Sequence, residues 1–587
     1  MARRAHLVPD SPKLGGEASS PGPFLVFAIV RPIGIDVSIL IEELETSLHD
    51  ANFDVETIRL SELLPKQPLL RKLGFQFKLE PEDERYRSFM DAGDILRGTT
   101  SRPDAMAVLG LREIRKVRRR RVNANRGRGA ASTPGRGLAV ILRSLMHPDE
   151  VRTLRRVYGK QLFVISASAP VEERELSLAR KIASSRGGSE EQWKPTAASL
   201  LNREHTISDQ TSSIGSIFGS PINKQFLLDV SGAFELGDLF VSVRDAERSR
   251  EQIRRLIELI FSNPFRTPTR DEYAMVVAHQ TGLRSAALSR QVGACLVNDE
   301  GDVLAVGCNE APKFGGGLYW EGDEPDGRDF QRKLESNDAI IGEILSDLLR
   351  RLFSDPSWLE ASPQEMAEVR TVRRFLKKLS PTSTSATLLK HTVLRGSDLT
   401  AITEFHRVVH AEMAAISDAG KRGVPLAGAT LLCTTFPCHG CARHIVATGI
   451  KRVVYVEAYP KSRVARLHDD SIGLSDQVSH LGRKVAFEPY VGVSSRRYSD
   501  LFSWVERKIG RSAGSKKGSA VKWSLSSAEL RETIVDREAV RLGSRSREMD
   551  QAEDYWIGIF DFRVKEAVKV VEDSQSGKSN RSRRRVR

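Results

Sequence analysis

The chain's first unbroken apolar run is FLVFAIV (Phe24–Val30), which reads as a strand buried on both faces. A turn at RPIGID follows, then a helical repeat from Val37 to about Ala51, then the strand-like VETIRL. The alternation returns with LAVILRSL (Leu138–Leu145), a helix through Asp149–Tyr158, the strand QLFVISASA and a helical stretch from about Val171 to Ser184. Strands alternating with helices imply a parallel sheet covered by helices. A Ser/Thr/Gly-containing interval from about Arg186 to Ser220 interrupts the pattern and reads as an irregular loop. LGDLFVSV then resumes as a strand, and about Ala246–Ser262 as a helix.

The two prolines of NPFRTPTRDEY separate helical patterns and place a domain boundary near Phe265. A helix at Asp271–Ser289 opens the second half. The strands GACLVN and DVLAVGC follow, around NDEGD, whose Glu300-Gly301 suits a hairpin. Charged, helical-looking sequence at about 328–389 reads as an insertion. The core resumes with the helix VVHAEMAAISDAG, the strand ATLLCTTF, a helix from Pro437 and the strand RVVYVEAY. The expected fold class is α/β, with an N-terminal parallel-sheet domain over 24–264 and a second α/β domain over 265–510. A Pro/Gly/Ser-rich disordered lead (1–23) precedes them, and a C-terminal extension with a basic tail (511–587) follows.

Composition agrees with this division. At 587 residues the chain exceeds what one hydrophobic core supports, and 40% hydrophobic with 28% charged residues is the balance of a soluble globular protein. No run approaches the roughly 18 apolar residues of a membrane span, and Met1–Pro23 lacks a signal peptide's apolar core, so no membrane association and a cytoplasmic location are expected. The net charge of +14 resides in two runs, Arg112–Arg128 and Lys578–Arg587. Such like-charge blocks read as solvated or disordered, with contact to RNA phosphates as the alternative. The five cysteines read as reduced thiols. Cys295, Cys308 and Cys433 lie in apolar strands and read as small buried hydrophobes.

Cys438 and Cys441 differ. They belong to Pro437-Cys438-His439-Gly440-Cys441, and a second piece reads His410-Ala411-Glu412. Cysteines three apart on a helix share a face and can grip one ion, and the helix's positive end lowers a thiolate's pKa. His410 and Glu412, two apart, would diverge in mid-helix, so they are expected to open one. The imidazole of His410 with Cys438 and Cys441 gives three ligands for Zn2+ and leaves a fourth position for water. Glu412 is the proton carrier beside that position. A redox Cys-x-x-Cys has no use for the His-x-Glu, and a structural zinc site would need a second ligand pair. H-x-E followed by P-C-x-x-C is the pattern of zinc-dependent nucleobase deaminases.

RSAALSRQVGACLVN, VGCNEAPKFGGGLYWE, TEFHRVVHAEMAAI, TTFPCHGCARHIVATGIKRVVYVEAYPKS and YVGVSSRRYSDLF together resemble the deoxycytidylate deaminase superfamily. More closely, they resemble bacterial anti-phage dCTP deaminases, and the likeness runs over about Phe24–Trp504. It implies an N-terminal parallel-sheet P-loop-kinase-like domain followed by a three-layer α/β/α cytidine deaminase-like domain. It also implies deamination of free deoxycytidine nucleotides (dCTP or dCMP) with depletion of the dCTP pool, and a homo-oligomer. Asn309 would face the sugar; Lys461, Ser462 and His468 would face the phosphate. Two departures stand out. The phosphate loop GxxxxGK[ST] is reduced to Val30–Asp36, with Gly34 its one glycine and no lysine, so the N-terminal domain reads as a degenerate scaffold with a regulatory nucleotide as its candidate ligand. His406 and Ser495 stand where the family has glycine and proline, and His406 reads as a residue behind or outside the ligand set. The competing functions are a polynucleotide deaminase acting on RNA or single-stranded DNA and a non-catalytic nucleotide-sensing regulator. An aromatic content of 6% favours the free nucleotide.

Overall fold

The computed structural model describes residues 22–126, 136–205, 223–333, 336–354, 402, 405–457, 462–474, 483–507, 520–534 and 544–583. The lead 1–21, most of the insertion from 355 onward, and Lys461 lie outside the described residues. The chain divides into two compact units, 1–267 with 499–587, and 268–498.

In the first unit the parallel strands β1 (Phe24–Val30), β2 (Phe53–Arg59), β3 (Gly137–Leu145), β4 (Leu162–Ser168) and β5 (Leu239–Ser242) lie in the order β5-β4-β1-β3-β2. β1 is central and buried along its whole length, as its continuous apolar run requires. Its two faces serve two layers. Val26, Ala28 and Val30 join one core cluster, while Phe27 stacks on Phe163 of β4 on the other face, ring centroids 5.6 Å apart. Helix α1 (Ser38–Asp50) packs against β2 and the later helix Ala246–Ile260.

Three helices absent from the sequence reading fill the connection from β2 to β3: α2 (Pro68–Lys72), α3 (Glu82–Thr100) and α4 (Ala105–Arg126). Helix α5 (Pro148–Tyr158) joins β3 to β4, and α6 (Val171–Arg186) follows β4. The expected irregular loop after Arg186 is corrected over α7 (Glu190–His205), a helix whose Ala197, Leu200 and Leu201 are buried at helical spacing; 206–222 lie outside the described residues. Pro195 inside that helix conceals the period.

The disordered reading of Arg112–Arg128 is likewise corrected as far as Arg126, and the solvated one at Arg112, Arg115 and Arg118, while Lys116, Arg119 and Arg120 are exposed. Those residues continue α4, whose Val108, Leu111, Ile114 and Val117 are buried. Its arginines meet acids of the C-terminal helix Ser544–Arg583: Arg112 pairs with Asp561, Arg115 with Asp554, and Arg118 with Asp550 (3.0 Å) and Glu553 (2.9 Å). The ascending and descending numbers describe antiparallel helices. Buried Met549, Phe560 and Ala567 give that helix an apolar stripe, so the C-terminal extension folds onto the first unit. The side chains of Lys578–Arg587 lie outside the described residues.

The second unit opens with helix α8 (Arg270–Gly282). Its sheet runs in the order β10-β11-β9-β8-β6-β7, with β6 (Gly293–Val297), β7 (Val303–Cys308), β8 (Thr430–Thr435), β9 (Arg452–Glu457), β10 (Ile472–Gly473) and β11 (Val485–Pro489). β6 is antiparallel to both β7 and β8; the remaining ladders are parallel. Helices α9 (Ala411–Arg422) and α10 (His439–Ala447) pack on the face carrying Ala294, Leu296 and Leu431. α8 lies on the opposite face, so this unit has helices on both sides of one sheet. Gly307 of β7 permits the closest approach. A Cβ there would stand 2.2 Å from the Ala411 carbonyl oxygen and 2.4 Å from the Ala415 nitrogen, so only glycine lets the start of α9 rest on the strand. Among the described residues no helix is long and apolar enough to cross a membrane.

Candidate metal centre

Two helix starts build the site. His410 is the N-cap of α9, in extended backbone, with Ala411 and Glu412 as its first helical residues. The segment before it is pinned to the end of β7 by a reciprocal backbone pair, Val409 N–H to Glu310 O at 3.0 Å and Glu310 N–H to Val409 O at 3.2 Å. Glu310, 1% exposed, accepts further bonds from the Ala286 and Ala311 N–H groups at 2.9 and 2.8 Å. The second helix starts at His439, two residues later than the expected Pro437. Cys438 takes the N-cap, its Sγ accepting the Cys441 N–H at 3.4 Å.

These starts bring together the residues that the sequence singled out. His410 Nδ1 lies 3.3 Å from Cys438 Sγ and 3.4 Å from Cys441 Sγ, and all three donor atoms fall within 4.8 Å of one another. A tetrahedral zinc with usual Zn–N and Zn–S lengths would set N···S edges of about 3.6 Å. The residues therefore fit the ion. Their proton affinities agree. Hydrogen bonds from Cys441 and His410 draw the Cys438 thiol down to about 4 despite burial, and the hydrogen bond to Cys438 pushes the His410 imidazole up to about 9. Cys441 is pushed up by its neighbour's sulfur and by burial. Two sulfurs and an imidazole at this spacing compete for too few protons, the condition that a divalent cation relieves. Glu412 is 4% exposed; burial raises its carboxyl pKa while His410 opposes the rise, and it shares a hydrogen bond with Cys441.

A cleft with an empty volume of about 360 Å³, open mouth included, lies against His410. Its walls come from Ala287, Leu288, Ser289, Asn309, Asp329, His406, Val408 and His410. Asn309 is therefore at the cleft, yet its side chain is also engaged internally: Oδ1 accepts Val292 N–H at 2.7 Å and Nδ2 donates to Arg290 O at 2.8 Å. Of the three expected phosphate contacts, Ser462 donates to Pro437 O at 3.1 Å, beside Cys438. His468 ends the short helix Val464–Leu467 and is not a cleft wall, and Lys461 is outside the described residues. His406 lines the cleft with its ring 6.2 Å from that of His410, without joining the ligand group. Asp329 was missed. It sits at the start of the expected insertion, 6% exposed and paired to Arg407 at 2.5 Å, and nothing in DGRDF distinguishes it from solvated charge. Cys295, Cys308 and Cys433 are fully buried, and burial alone pushes Cys295 up to about 12.

In the first unit Gly34 has φ +83°, and a Cβ there would stand 2.6 Å from the Arg174 carbonyl oxygen. Its loop is tied from within: Ile33 N–H donates to Glu204 Oε1 at 2.6 Å, Arg174 Nε donates to Ile33 O at 3.0 Å, and Arg174 pairs with Glu204 at 2.8 Å.

Residues 268–457 match the family model of the cytidine and deoxycytidylate deaminase zinc-binding region. Deoxycytidylate deaminase of Enterobacteria phage T2 is 34% identical over 94 residues, 13% of this chain and 50% of the phage protein. ComE operon protein 2 of Bacillus subtilis (strain 168) is 47% identical over 53 residues, 9% of this chain and 28% of that protein. The chain thus spans half or less of the length of the curated relatives it matches. The crystal structure of dCMP deaminase from cyanophage S-TIM5 in complex with dCMP and dUMP aligns with 38% of this chain and 98% of its own. The identity is 18% and the TM-score 0.19, too low a score to add to the topology above. Residues 268–457, with His410, Cys438 and Cys441 set to hold zinc, are a domain of the cytidine and deoxycytidylate deaminase family.

Proposed function

We propose that this chain hydrolyses the exocyclic amine of a free deoxycytidine nucleotide, dCMP or dCTP, giving the uracil nucleotide and ammonia. The observation that carries the reading is the convergence of His410 Nδ1, Cys438 Sγ and Cys441 Sγ beside the buried carboxyl of Glu412, next to an open cleft. Zinc held by those three residues would supply Lewis acidity that lowers the pKa of water. Glu412 takes the proton of the attacking water and passes it to the ring nitrogen. The same carboxylate then takes the remaining proton from the hydroxyl added to the base and delivers it to the departing amine, which leaves as ammonia. Its burial suits both tasks, because a raised carboxyl pKa lets it hold the proton between steps. His410 and Cys438, each at a helix start, keep the reacting centre fixed while the cleft orients the base. Asn309 keeps one amide hydrogen for a sugar oxygen, and Ser462 and His468 remain the reading for the phosphate end, together with Lys461.

In a cell under phage attack such an activity would drain the dCTP that viral replication needs. One observation favours a second reading. Phe314, fully exposed, and Trp320, 58% exposed and stacked by Arg284 at 3.4 Å, offer surfaces on which a polynucleotide could stack. The experiment that tests the proposal compares uracil formation from dCMP, dCTP and a cytosine-containing single strand by the zinc-loaded chain. Turnover of a mononucleotide at least tenfold faster than of the strand supports it; the reverse order overturns it.

A further inference from the structure

Open parallel sheets bind ligands beyond the carboxyl ends of their strands. That edge of the first unit carries three arginines: Arg59 ends β2, Arg143 lies near the end of β3, and Arg31 directly follows β1. Arg59 and Arg143 are register partners in the parallel ladder, so their side chains leave one face side by side. Like charges at facing positions destabilise a sheet unless something else compensates them.

Internal compensation is thin. Arg59 meets Glu62 at 3.6 Å, with both side chains more than half exposed. Arg31 donates one Nη to Ile35 O at 2.9 Å and keeps a buried Nε without a partner. Arg143 is partly buried, and among the described residues its side chain has neither a hydrogen bond nor an ion pair. Burial, then the charges of Arg59 and Arg31, push its guanidinium toward the neutral form; Asp36 and Glu62 oppose this only in part. The Ile33 backbone in the loop at this edge is already engaged, because Glu204 takes its N–H and Arg174 its carbonyl. Cationic groups at strand ends are what this edge offers a charged ligand.

We propose that Arg31, Arg59 and Arg143 bind a multiply charged phosphate-class oxyanion at the carboxyl edge of the first unit's sheet. Guanidinium forks match phosphate oxygens in pairs, and such an anion would offset the repulsion between Arg59 and Arg143. The ligand is either free pyrophosphate or the phosphate tail of a nucleotide. This site is separate from the deaminase centre and does not depend on its activity.

The test uses the full chain in phosphate-free buffer, with thermal unfolding and titration calorimetry against inorganic pyrophosphate, then dATP, with deoxyadenosine as the uncharged control. Wild type is expected to bind pyrophosphate and to gain melting temperature from it. Arg143→Gln should weaken that binding by about tenfold or more. Without pyrophosphate it should melt at or above wild type, since a repelled, partly buried charge is gone. Arg120→Gln, an exposed arginine of α4, should bind as wild type does. Tighter binding of dATP than of pyrophosphate, lost in Arg143→Gln, assigns the site to a nucleotide tail; equal binding assigns it to the free oxyanion. Undiminished pyrophosphate binding by Arg143→Gln, no binding by wild type, or a lower melting temperature of the variant in ligand-free buffer overturns the proposal.

Discussion

Replacing Gly307 by alanine should disable the metal centre without touching any ligand. The added Cβ would lie 2.2 Å from the Ala411 carbonyl oxygen and 2.4 Å from the Ala415 nitrogen, both backbone atoms of the helix that carries His410 and Glu412. Even a contact of 3.0 Å, which real Cβ atoms essentially never undercut, requires strand and helix to part by about 0.8 Å. Overpacking of this kind costs about 1–3 kcal/mol, which the domain can survive. Catalysis is less tolerant: a misplacement of about 1 Å can cost roughly a hundredfold in rate. Gly307→Ala should therefore remain folded by circular dichroism, bind zinc more weakly in a competitive chelator titration, and lose about two orders of magnitude in kcat. Gly420→Ala, on the same helix with nothing within 4 Å of its added Cβ, is the control and should gain about 0.5–1 kcal/mol in helix stability. Zinc affinity and kcat within twofold of wild type for Gly307→Ala would refute the reasoning that this contact sets the position of His410.

Glu412→Gln should retain zinc in metal analysis while deamination falls by about 10²–10⁴; normal turnover would remove the carboxylate from the reaction. Stripping the metal with a chelator should make Cys438 the first thiol alkylated near neutral pH, with Cys295 unreactive, as peptide mapping would report. Phe560→Ala removes a fully buried ring of the C-terminal helix and should destabilise the first unit by about 3–5 kcal/mol in urea melts. Glu150 and Glu204 have folded pKa values raised from 4.5 to about 7, mainly by burial, so their stabilising contribution is full below pH 4.5 and is lost as pH rises through about 7. His147, lowered from 6.5 to about 4 mainly by burial, acts in the opposite sense: its contribution is present above pH 6.5 and lost as pH falls through about 4. Replacing His147 by glutamine should therefore steepen the decline in melting temperature between pH 4.5 and 7; an unchanged slope would mean that the imidazole does not titrate as its burial requires.

What could be read from sequence was local. FLVFAIV announced a central strand because both of its faces are buried, and the β6–β7 hairpin followed from a turn between two apolar runs. The His-x-Glu and Cys-x-x-Cys pieces announced a metal site because each needs only its own helix start, while their 3.3 and 3.4 Å approach is a property of the fold. Two of the misreadings share one cause. The basic run of α4 looked solvated because its acidic partners lie more than four hundred residues away, on a helix within what the sequence shows only as a C-terminal extension. Asp329 looked like surface charge because its burial depends on Arg407, on the far side of the insertion. The strand order β5-β4-β1-β3-β2, which gathers Arg31, Arg59 and Arg143 at one edge, has no sequence signature.

The most direct measurement of the proposed chemistry is mass spectrometry of dCMP and dCTP incubated with the zinc-loaded chain in water enriched in oxygen-18. Hydrolytic deamination through Glu412 predicts a uracil nucleotide carrying one heavy oxygen on the base, with ammonia in equal amount, and both products formed at least about a hundredfold more slowly by Glu412→Gln. A chain that holds one zinc on His410, Cys438 and Cys441 yet leaves both nucleotides unchanged would contradict it.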